Sequence, residues 1–247
     1  MWNGARVAVV IPAYDEELHI ARTLGTLPGY VDGAYVVDDA SRDATWHAAA
    51  CSGDPRIQRI RHARNQGVGR AIASGYLRAL QDRHEVLAVM AGDGQMDPDD
   101  LEAVIAPVAH GEADYVKGNR FVHREVRRMP FERRLGGRAL SLLTRAATGL
   151  SIDDSQCGYT ALSARAAAFL PLDDLWPRYG YPNDLLGLVA AAGLSVVEVP
   201  VRPVYQGEAS GVRPWHVVTI AGVVVRRWWR CSNRPARFDC NAVFPSR

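Results

Sequence analysis

The sequence is almost without lysine: Lys117 is the only one among its 29 basic residues, and all the others are arginine. Its net charge of +2 is too small to favour a nucleic-acid partner. The four cysteines form no C-x-x-C pair, which argues against a zinc site or a disulfide framework and fits a reducing compartment. No apolar run approaches the roughly 18 residues that cross a bilayer, and residues 1–12 lead straight into a strand-like segment rather than a signal peptide. We therefore expect a cytoplasmic globular protein.

Strand-like and helix-like segments alternate in the first half of the sequence. The strand-like segments are 6–12, 34–39, 57–62, 86–91 and 113–117, and the helical ones are 16–27, 43–51, 69–80 and 98–110. Alternation of this kind predicts an α/β fold with a mostly parallel sheet flanked by helices. Such a sheet binds ligands at the carboxyl ends of its strands, where this sequence places acidic and turn residues.

The second half begins with a basic stretch. Residues 121–138 hold six arginines against two glutamates, and we expect a surface loop that leads into a helix at 135–148. A helix near 183–192 and a strand at 195–200 follow. The pattern therefore predicts a second αβ unit next to the first.

One domain is expected over residues 1–212, with a nucleotide-binding half to about 120 and an acceptor half from about 121. Residues 213–247 are expected to form an amphipathic helix and a poorly ordered tail. The helix at 215–230 has an apolar face and ends in arginines. It either packs on the domain or on a second subunit as a homodimer contact, or lies in a membrane interface with its tryptophans at headgroup depth.

Two adjacent acids, Asp38 and Asp39, end the second strand-like segment. A turn followed by a helix cap explains Ser41 and Asp43. It does not explain the paired acids, whose repulsion costs energy unless a ligand or donor uses them. An aspartate at a strand tip can accept a hydrogen bond from the imide of uracil or from an amino group of guanine.

Asp93 and Gln95 lie two residues apart after the fourth strand-like segment. In an extended segment their side chains point the same way, and a pair of oxygens suits a hard divalent ion completed by diphosphate and water. Gly92 and Gly94 allow a diphosphate to approach the backbone. The alternative is a β-turn before a helix capped by Asp97.

Six short segments between residues 5 and 212 form a set of motifs. They are Ile11-Pro12-Ala13-Tyr14-Asp15-Glu16, the Asp38-Asp39-x-Ser-x-Asp-x-Thr turn, Asn65-Gln66-Gly67-Val68-Gly69, Gly92-Asp93-Gly94-Gln95, Gly118-Asn119-Arg120 and Asp154-Ser155-Gln156-Cys157-Gly158-Tyr159. In this order and spacing they resemble the family 2 glycosyltransferases, especially the dolichyl-phosphate and polyprenyl-phosphate sugar synthases. The resemblance implies a single Rossmann-like glycosyltransferase A-type domain.

The resemblance also implies roles for particular residues. Asp93 and Gln95 would hold Mg²⁺ or Mn²⁺, and Asp93 and Arg120 would act in catalysis. The nucleotide-binding residues that it implies are Pro12, Tyr14, Glu16, Asp38, Asp39, Gly92 and Asp93. The arginine of the Gly-x-Arg motif, Arg120, would face phosphate groups. The basic stretch 121–138 itself offers Arg128, Arg133 and Arg134 as further candidates for binding an anionic acceptor headgroup.

Two positions depart from the family pattern. Ala91 stands where the family usually has the first Asp of Asp-x-Asp, so we expect weaker metal binding. Val68 stands where a lysine is common, and Lys117 or the arginines of 121–138 would then supply the missing charge.

Asp184 and Asp154 are candidates on the acceptor side. In the resembled family an acid in the region of Asp184 can orient or deprotonate the acceptor. The alternative is that Asn183 or Asp184 caps the following helix.

The expected reaction is an inverting, metal-assisted transfer. A UDP- or GDP-linked donor would give its sugar to a polyprenyl phosphate, on a protein held peripherally at the inner face of the cell membrane. Two alternatives stay open: a hydroxyl acceptor, and a non-catalytic nucleotide-sugar-binding protein, which Ala91 would favour.

Overall fold

The computed structural model describes residues 1–204 and 214–232, and a seven-stranded sheet forms its centre. The strands are β1 (Val7–Ala13), β2 (Gly33–Asp38), β3 (Ile57–Arg61), β4 (Val86–Val89), β5 (Tyr115–Asn119), β6 (Thr160–Ser163) and β7 (Val196–Pro200). Their order across the sheet is β3-β2-β1-β4-β6-β5-β7. Only β6 runs antiparallel to its neighbours, β4 and β5. The mostly parallel sheet is confirmed.

Helices cover both faces of this sheet. They are α1 (Ile20–Gly25), α2 (Thr45–Ala50), α3 (Val68–Gln81), α4 (Leu101–Ala109), α5 (Phe131–Thr148), α6 (Ala164–Phe169), α7 (Tyr181–Ala191) and α8 (Pro214–Ser232). One core lies between the sheet and helices α1, α2 and α4, and the other between the sheet and α3, α6 and α7. The residues of β1, β2 and β4 are all buried, as expected for apolar strands covered on both faces.

The structure corrects the predicted elements at three places. Helix α1 begins at Ile20 rather than at residue 16, because residues 17–19 form a turn. The sequence did not reveal β6 or α6, because a four-residue strand is too short to show a period. Helix α5 begins at Phe131, four residues before the predicted start, since Pro130 precedes it as the cap residue with φ of −52°.

Helix α8 packs against α5 and α7. It buries Ile220, Val223 and Val224, so one of its faces belongs to the domain. Within the two described ranges, no helix combines the length and the apolar character needed to cross a membrane. The predicted tail falls on residues 233–247, which lie outside the described residues, as do residues 205–213.

Candidate active site

The end of β1 brings two of the predicted motifs together. The backbone N–H of Asp39 donates to the carbonyl of Ala13 at 2.9 Å, and that of Gly92 donates to the carbonyl of Pro12 at 3.2 Å. Asp39 and Gly92 therefore flank one strand end, at the carboxyl edge of the parallel strands. This is the edge where a doubly wound sheet binds its ligands.

The Asp39 carboxylate is buried and holds a neighbouring turn. It accepts the backbone N–H of Gln66 at 2.8 Å and that of Gly67 at 2.6 Å. His62 Nδ1 lies 2.7 Å from Asp39 Oδ1. Gly67 has φ of 94°, a conformation that favours glycine. The side chain is thus fixed at the strand tip, and its contact with a nucleobase stays a prediction.

Asp38 has partners that the sequence did not reveal. Its Oδ1 accepts the backbone N–H of Ser41 at 2.9 Å, and Arg61 Nε lies 3.0 Å from its Oδ2. The Ser41 hydrogen bond and the positive charge of Arg61 offset part of the repulsion between Asp38 and Asp39. The paired acids therefore have partners within the protein, one of the two possibilities that the sequence left open.

The Tyr14–Glu16 segment sits beside the same edge. The backbone N–H of Glu16 donates to Thr45 Oγ1 at 2.7 Å, which ties this segment to the start of α2. Tyr14 is 38% exposed, so its ring is accessible to a ligand. The structure therefore places both residues near Asp39 and leaves their nucleotide contacts as predictions.

The Asp93 loop is a tight turn. Asp93 Oδ1 accepts the backbone N–H of Gln95 at 2.9 Å, and Gly94 has φ of 71°. The predicted cap at Asp97 is confirmed, because its side chain accepts the N–H of Asp99 at 3.0 Å. No group of three or more His, Cys, Asp or Glu side chains that could hold a metal occurs among the described residues. The protein donors fit a hard ion only if diphosphate and water supply most of its ligands.

Arg120 and Asp154 form a buried fork. Arg120 Nε donates to Asp154 Oδ2 at 2.7 Å and Nη2 to Oδ1 at 2.9 Å. Burial alone would raise the pKa of Asp154, but the charge and hydrogen bonds of Arg120 outweigh it and hold that pKa below its usual value. Asp154 is fully buried, so the structure does not support it as a base facing an acceptor. Arg120 is committed at least partly to this pair.

Asp184 is enclosed in a similar way. Its two oxygens accept Arg227 Nε and Nη2, each at 2.7 Å, and Oδ2 also accepts the backbone N–H of Trp176 at 2.8 Å. The cap interpretation is wrong, because α7 starts after Gly180 and no side chain caps it. Asp184 is 4% exposed, which fits a structural ion pair better than an acceptor base.

The remaining basic candidates differ in their surroundings. Arg128 is exposed and pairs with Glu125 at 2.8 Å. Arg133 and Arg134 lie half-buried in the first turn of α5, and Arg134 Nε is buried without a hydrogen-bond partner among the described residues. Lys117 cannot supply charge to a phosphate here, because it is fully buried, its pKa is lowered by that burial, and it donates to the Cys157 carbonyl.

Arg61, His62 and Arg227 are the site residues that sequence reasoning missed. They contact the predicted site acids Asp38, Asp39 and Asp184, which lie 23, 23 and 43 residues away in the sequence. Arg227 lies among similar arginines, so no sequence signal separates it from Arg226 or Arg230.

This mostly parallel sheet, with acidic turns at its carboxyl edge, has the architecture of a glycosyltransferase A-type domain. The family model described as glycosyl transferase family 2 matches residues 8–165. The chain belongs to this family and is a glycosyltransferase.

Relatives and solved structures agree with this assignment. The chain is 31% identical to an undecaprenyl-phosphate mannosyltransferase of Micrococcus luteus, over 90% of this chain and 93% of that protein. It is 28% identical to the UDP-N-acetylglucosamine–dolichyl-phosphate N-acetylglucosaminyltransferase of Methanococcus voltae, over 81% and 86%. Glucosyl-3-phosphoglycerate synthase of Mycobacterium tuberculosis, solved with Mn²⁺, UDP and glucosyl-3-phosphoglycerate, matches at 19% identity with a TM-score of 0.67, over 95% of this chain and 82% of that one. The last similarity shows the fold alone.

Proposed function

We propose that this glycosyltransferase moves a sugar, with inversion, from a nucleotide-sugar donor to a polyprenyl phosphate at a membrane surface. The proposal rests on Asp154 and Asp184, the two candidate bases. Both carboxylates are buried, and each is paired with an arginine side chain. A hydroxyl acceptor needs a general base. A phosphate acceptor is largely ionised at pH 7, since its second pKa is about 6, and needs positioning instead.

The relatives support the same acceptor class. The two named above act on undecaprenyl and dolichyl phosphate, and they align with most of this chain. The arginines near the start of α5 are suited to an anionic headgroup, because the guanidinium fork matches phosphate oxygens. We assign Arg128, Arg133 and Arg134 to this role.

The donor would lie along the edge formed by Pro12, Asp39 and Gly92. A divalent ion such as Mg²⁺ or Mn²⁺, held by Asp93 and Gln95 with diphosphate oxygens, would supply neutralising charge. The chain's own part is to orient the nucleoside through Asp39 and to keep the donor's anomeric carbon open to attack from the opposite face.

Membrane contact is proposed for the outer faces of α5 and α8. Phe131, Leu135 and Leu142 on α5 are 69%, 61% and 65% exposed, at a spacing that places them on one face. Trp229 on α8 is 63% exposed. Exposed apolar side chains accompanied by arginines are typical of helices that lie in an anionic membrane interface.

The test compares two lipids that differ only in the phosphate. Purified protein, Mn²⁺ and a panel of UDP- and GDP-sugars are incubated with undecaprenyl phosphate or with undecaprenol. We expect one donor to be transferred to the phosphate and none to the alcohol. Transfer to the alcohol alone would overturn the proposed acceptor.

A double variant tests the role of Asp184 as a base. Asp184→Asn with Arg227→Gln removes the carboxylate but keeps a neutral, hydrogen-bonded pair. We expect the rate of transfer to undecaprenyl phosphate to stay within several-fold of wild type. A loss of several orders of magnitude in a folded variant would restore Asp184 as the general base.

A further inference from the structure

Residues 173–180 connect α8 with the core of the domain. Arg227 reaches from α8 into this segment, where Nη2 donates to the carbonyl of Asp174 at 3.2 Å. The same guanidinium clamps Asp184, whose Oδ2 accepts the backbone N–H of Trp176 at 2.8 Å. One buried ion pair therefore fixes the backbone of the segment at two points.

The other side of the segment lies against the turn that binds Asp39. The backbone N–H of Gly69 donates to the carbonyl of Pro177 at 2.8 Å. A Cβ atom on Gly67 would overlap the Pro177 carbonyl, and one on Gly69 would overlap the Trp176 carbonyl. Glycine is thus required at both positions by the close approach of the two backbones.

The contacts continue without a gap to the strand tip. Gly67, which lies against the Pro177 carbonyl in the same turn as Gly69, donates its N–H to Asp39 Oδ2 at 2.6 Å. A shift of residues 173–180 would therefore move the turn and its N–H away from the Asp39 carboxylate. The path runs from Arg227 through Asp184, Trp176 and the glycine turn to Asp39.

From this path we infer that Arg227 and Asp184 are positioning residues for the nucleotide pocket. Asp184 accepts the Trp176 N–H, and Arg227 holds Asp184 in place. The carbonyls of Trp176 and Pro177 then lie against the glycine turn that orients Asp39. The inference rests on the proposed function, in which Asp39 faces the nucleotide.

Two double variants separate this role from simple stabilisation. Both remove the ion pair without leaving a buried unpaired charge, which would risk unfolding. Asp184→Asn with Arg227→Gln keeps an acceptor for the Trp176 N–H. Asp184→Leu with Arg227→Met keeps similar side-chain volume but removes that acceptor. Affinity for UDP and GDP with Mn²⁺ is measured by calorimetry, and thermal unfolding is measured in parallel.

The inference expects the Leu/Met variant to bind nucleotide about tenfold more weakly than wild type, as for a lost hydrogen bond to a charged group. The Asn/Gln variant should retain nearly full affinity, even if both variants melt at similar temperatures. Arg230→Met is the control, because Arg230 is on the same helix and its bond to Asp174 is 3.5 Å long.

Equal affinity of both double variants and the wild type, measured well below their melting temperatures, would overturn the inference. Equal weakening of both would also overturn it, because the Trp176 acceptor would then not be the deciding feature. If the wild type binds neither UDP nor GDP, the proposed function fails first.

Discussion

At the scale of single residues, Asp39, Asp154 and Asp184 are held by donors from distant parts of the chain. Gln66, Gly67 and His62 already orient the Asp39 carboxylate, so a ligand would meet a fixed acceptor. Fixed polar groups lose little entropy when they bind, which favours tight and specific contacts. Asp39 and Asp154 could be found from the sequence motifs, but their distant partners could not.

Substitution of Asp39 tests its role in nucleotide recognition. Asp39→Ala should weaken UDP or GDP binding by about 1–3 kcal/mol, the cost of leaving a polar group unpaired. Asp43→Ala is the control, since that carboxylate lies at the same edge and is likewise held by backbone N–H groups, those of Glu17 and Thr45, but is not predicted to bind the nucleotide. Calorimetry gives both affinities, and an unchanged value for Asp39→Ala would contradict the assignment.

Asp93 and Ala91 provide a test of metal use. Asp93→Ala should abolish transfer while the protein stays folded, because Asp93 is only half-buried and lies in a turn outside the core. Ala91→Asp should tighten Mn²⁺ binding, since it adds a carboxylate two residues from Asp93. The exposed Asp99→Ala variant is the control. Full activity of the wild type in excess chelator would refute a metal-dependent mechanism.

The Arg120–Asp154 pair should make stability depend on pH in the acid range. The pKa of Asp154 is lowered in the folded protein, so the pair's contribution is present above the unfolded value of about 3.9 and is lost as the pH falls through the folded value. Urea unfolding at a series of pH values measures this loss. Arg120→Met should destabilise the protein by about 3–5 kcal/mol at pH 7, because it leaves a buried carboxylate unpaired.

The neighbouring Arg145–Asp153 pair is the matched control for that experiment. Both of its side chains are largely exposed, and the pair is 3.0 Å long. Arg145→Met should cost less than about 1 kcal/mol. A similar loss for both arginine variants would show that the burial of Asp154 does not matter.

At the scale of elements, periodicity predicted most strands and helices but not how they pack. Helix α8 was predicted from its apolar spacing, yet only tertiary contacts show that Arg227 is buried while Arg226 is exposed. Strand β6 was not predicted, because its four residues are too few to show a period. It is nevertheless the strand that pairs with both β4 and β5 in the sheet. The parallel core was predictable because its strands are continuous apolar runs.

Removal of α8 should destabilise the domain rather than detach an independent anchor. Deleting residues 214–247 would remove Arg227 from Asp184 and expose the residues beneath Ile220 and Val223, so we expect the melting temperature to fall. Deleting only 233–247 is the control and should have little effect. Thermal unfolding of both truncated proteins measures the effect. Equal melting temperatures would mean that α8 contributes nothing to the stability of the domain.

At the scale of the whole molecule, catalysis and membrane contact would occupy adjoining parts of one domain. The basic stretch leaves the carboxyl edge at Arg120 and continues into α5, whose outer face exposes Phe131, Leu135 and Leu142. Helix α5 in turn packs against α8. A polyprenyl phosphate embedded in a membrane could therefore present its headgroup near the donor without the protein crossing the bilayer.

Vesicle binding tests this arrangement through both charge and apolar contact. At low salt the protein should bind vesicles that contain anionic lipid, and binding should weaken as salt rises, because charge attraction is screened over about 8–10 Å at physiological ionic strength. Leu135→Glu with Leu142→Glu should reduce binding further, since both leucines are more than half exposed and would carry charge into the interface. Leu77→Glu on α3, where the leucine is 39% exposed, is the control for added negative charge.

Co-sedimentation with vesicles measures the binding of all three proteins, and circular dichroism checks that they are folded. Equal binding of the α5 variant and the control would place the membrane contact elsewhere, and no binding of the wild type at low salt would leave α5 and α8 as packing or dimer elements.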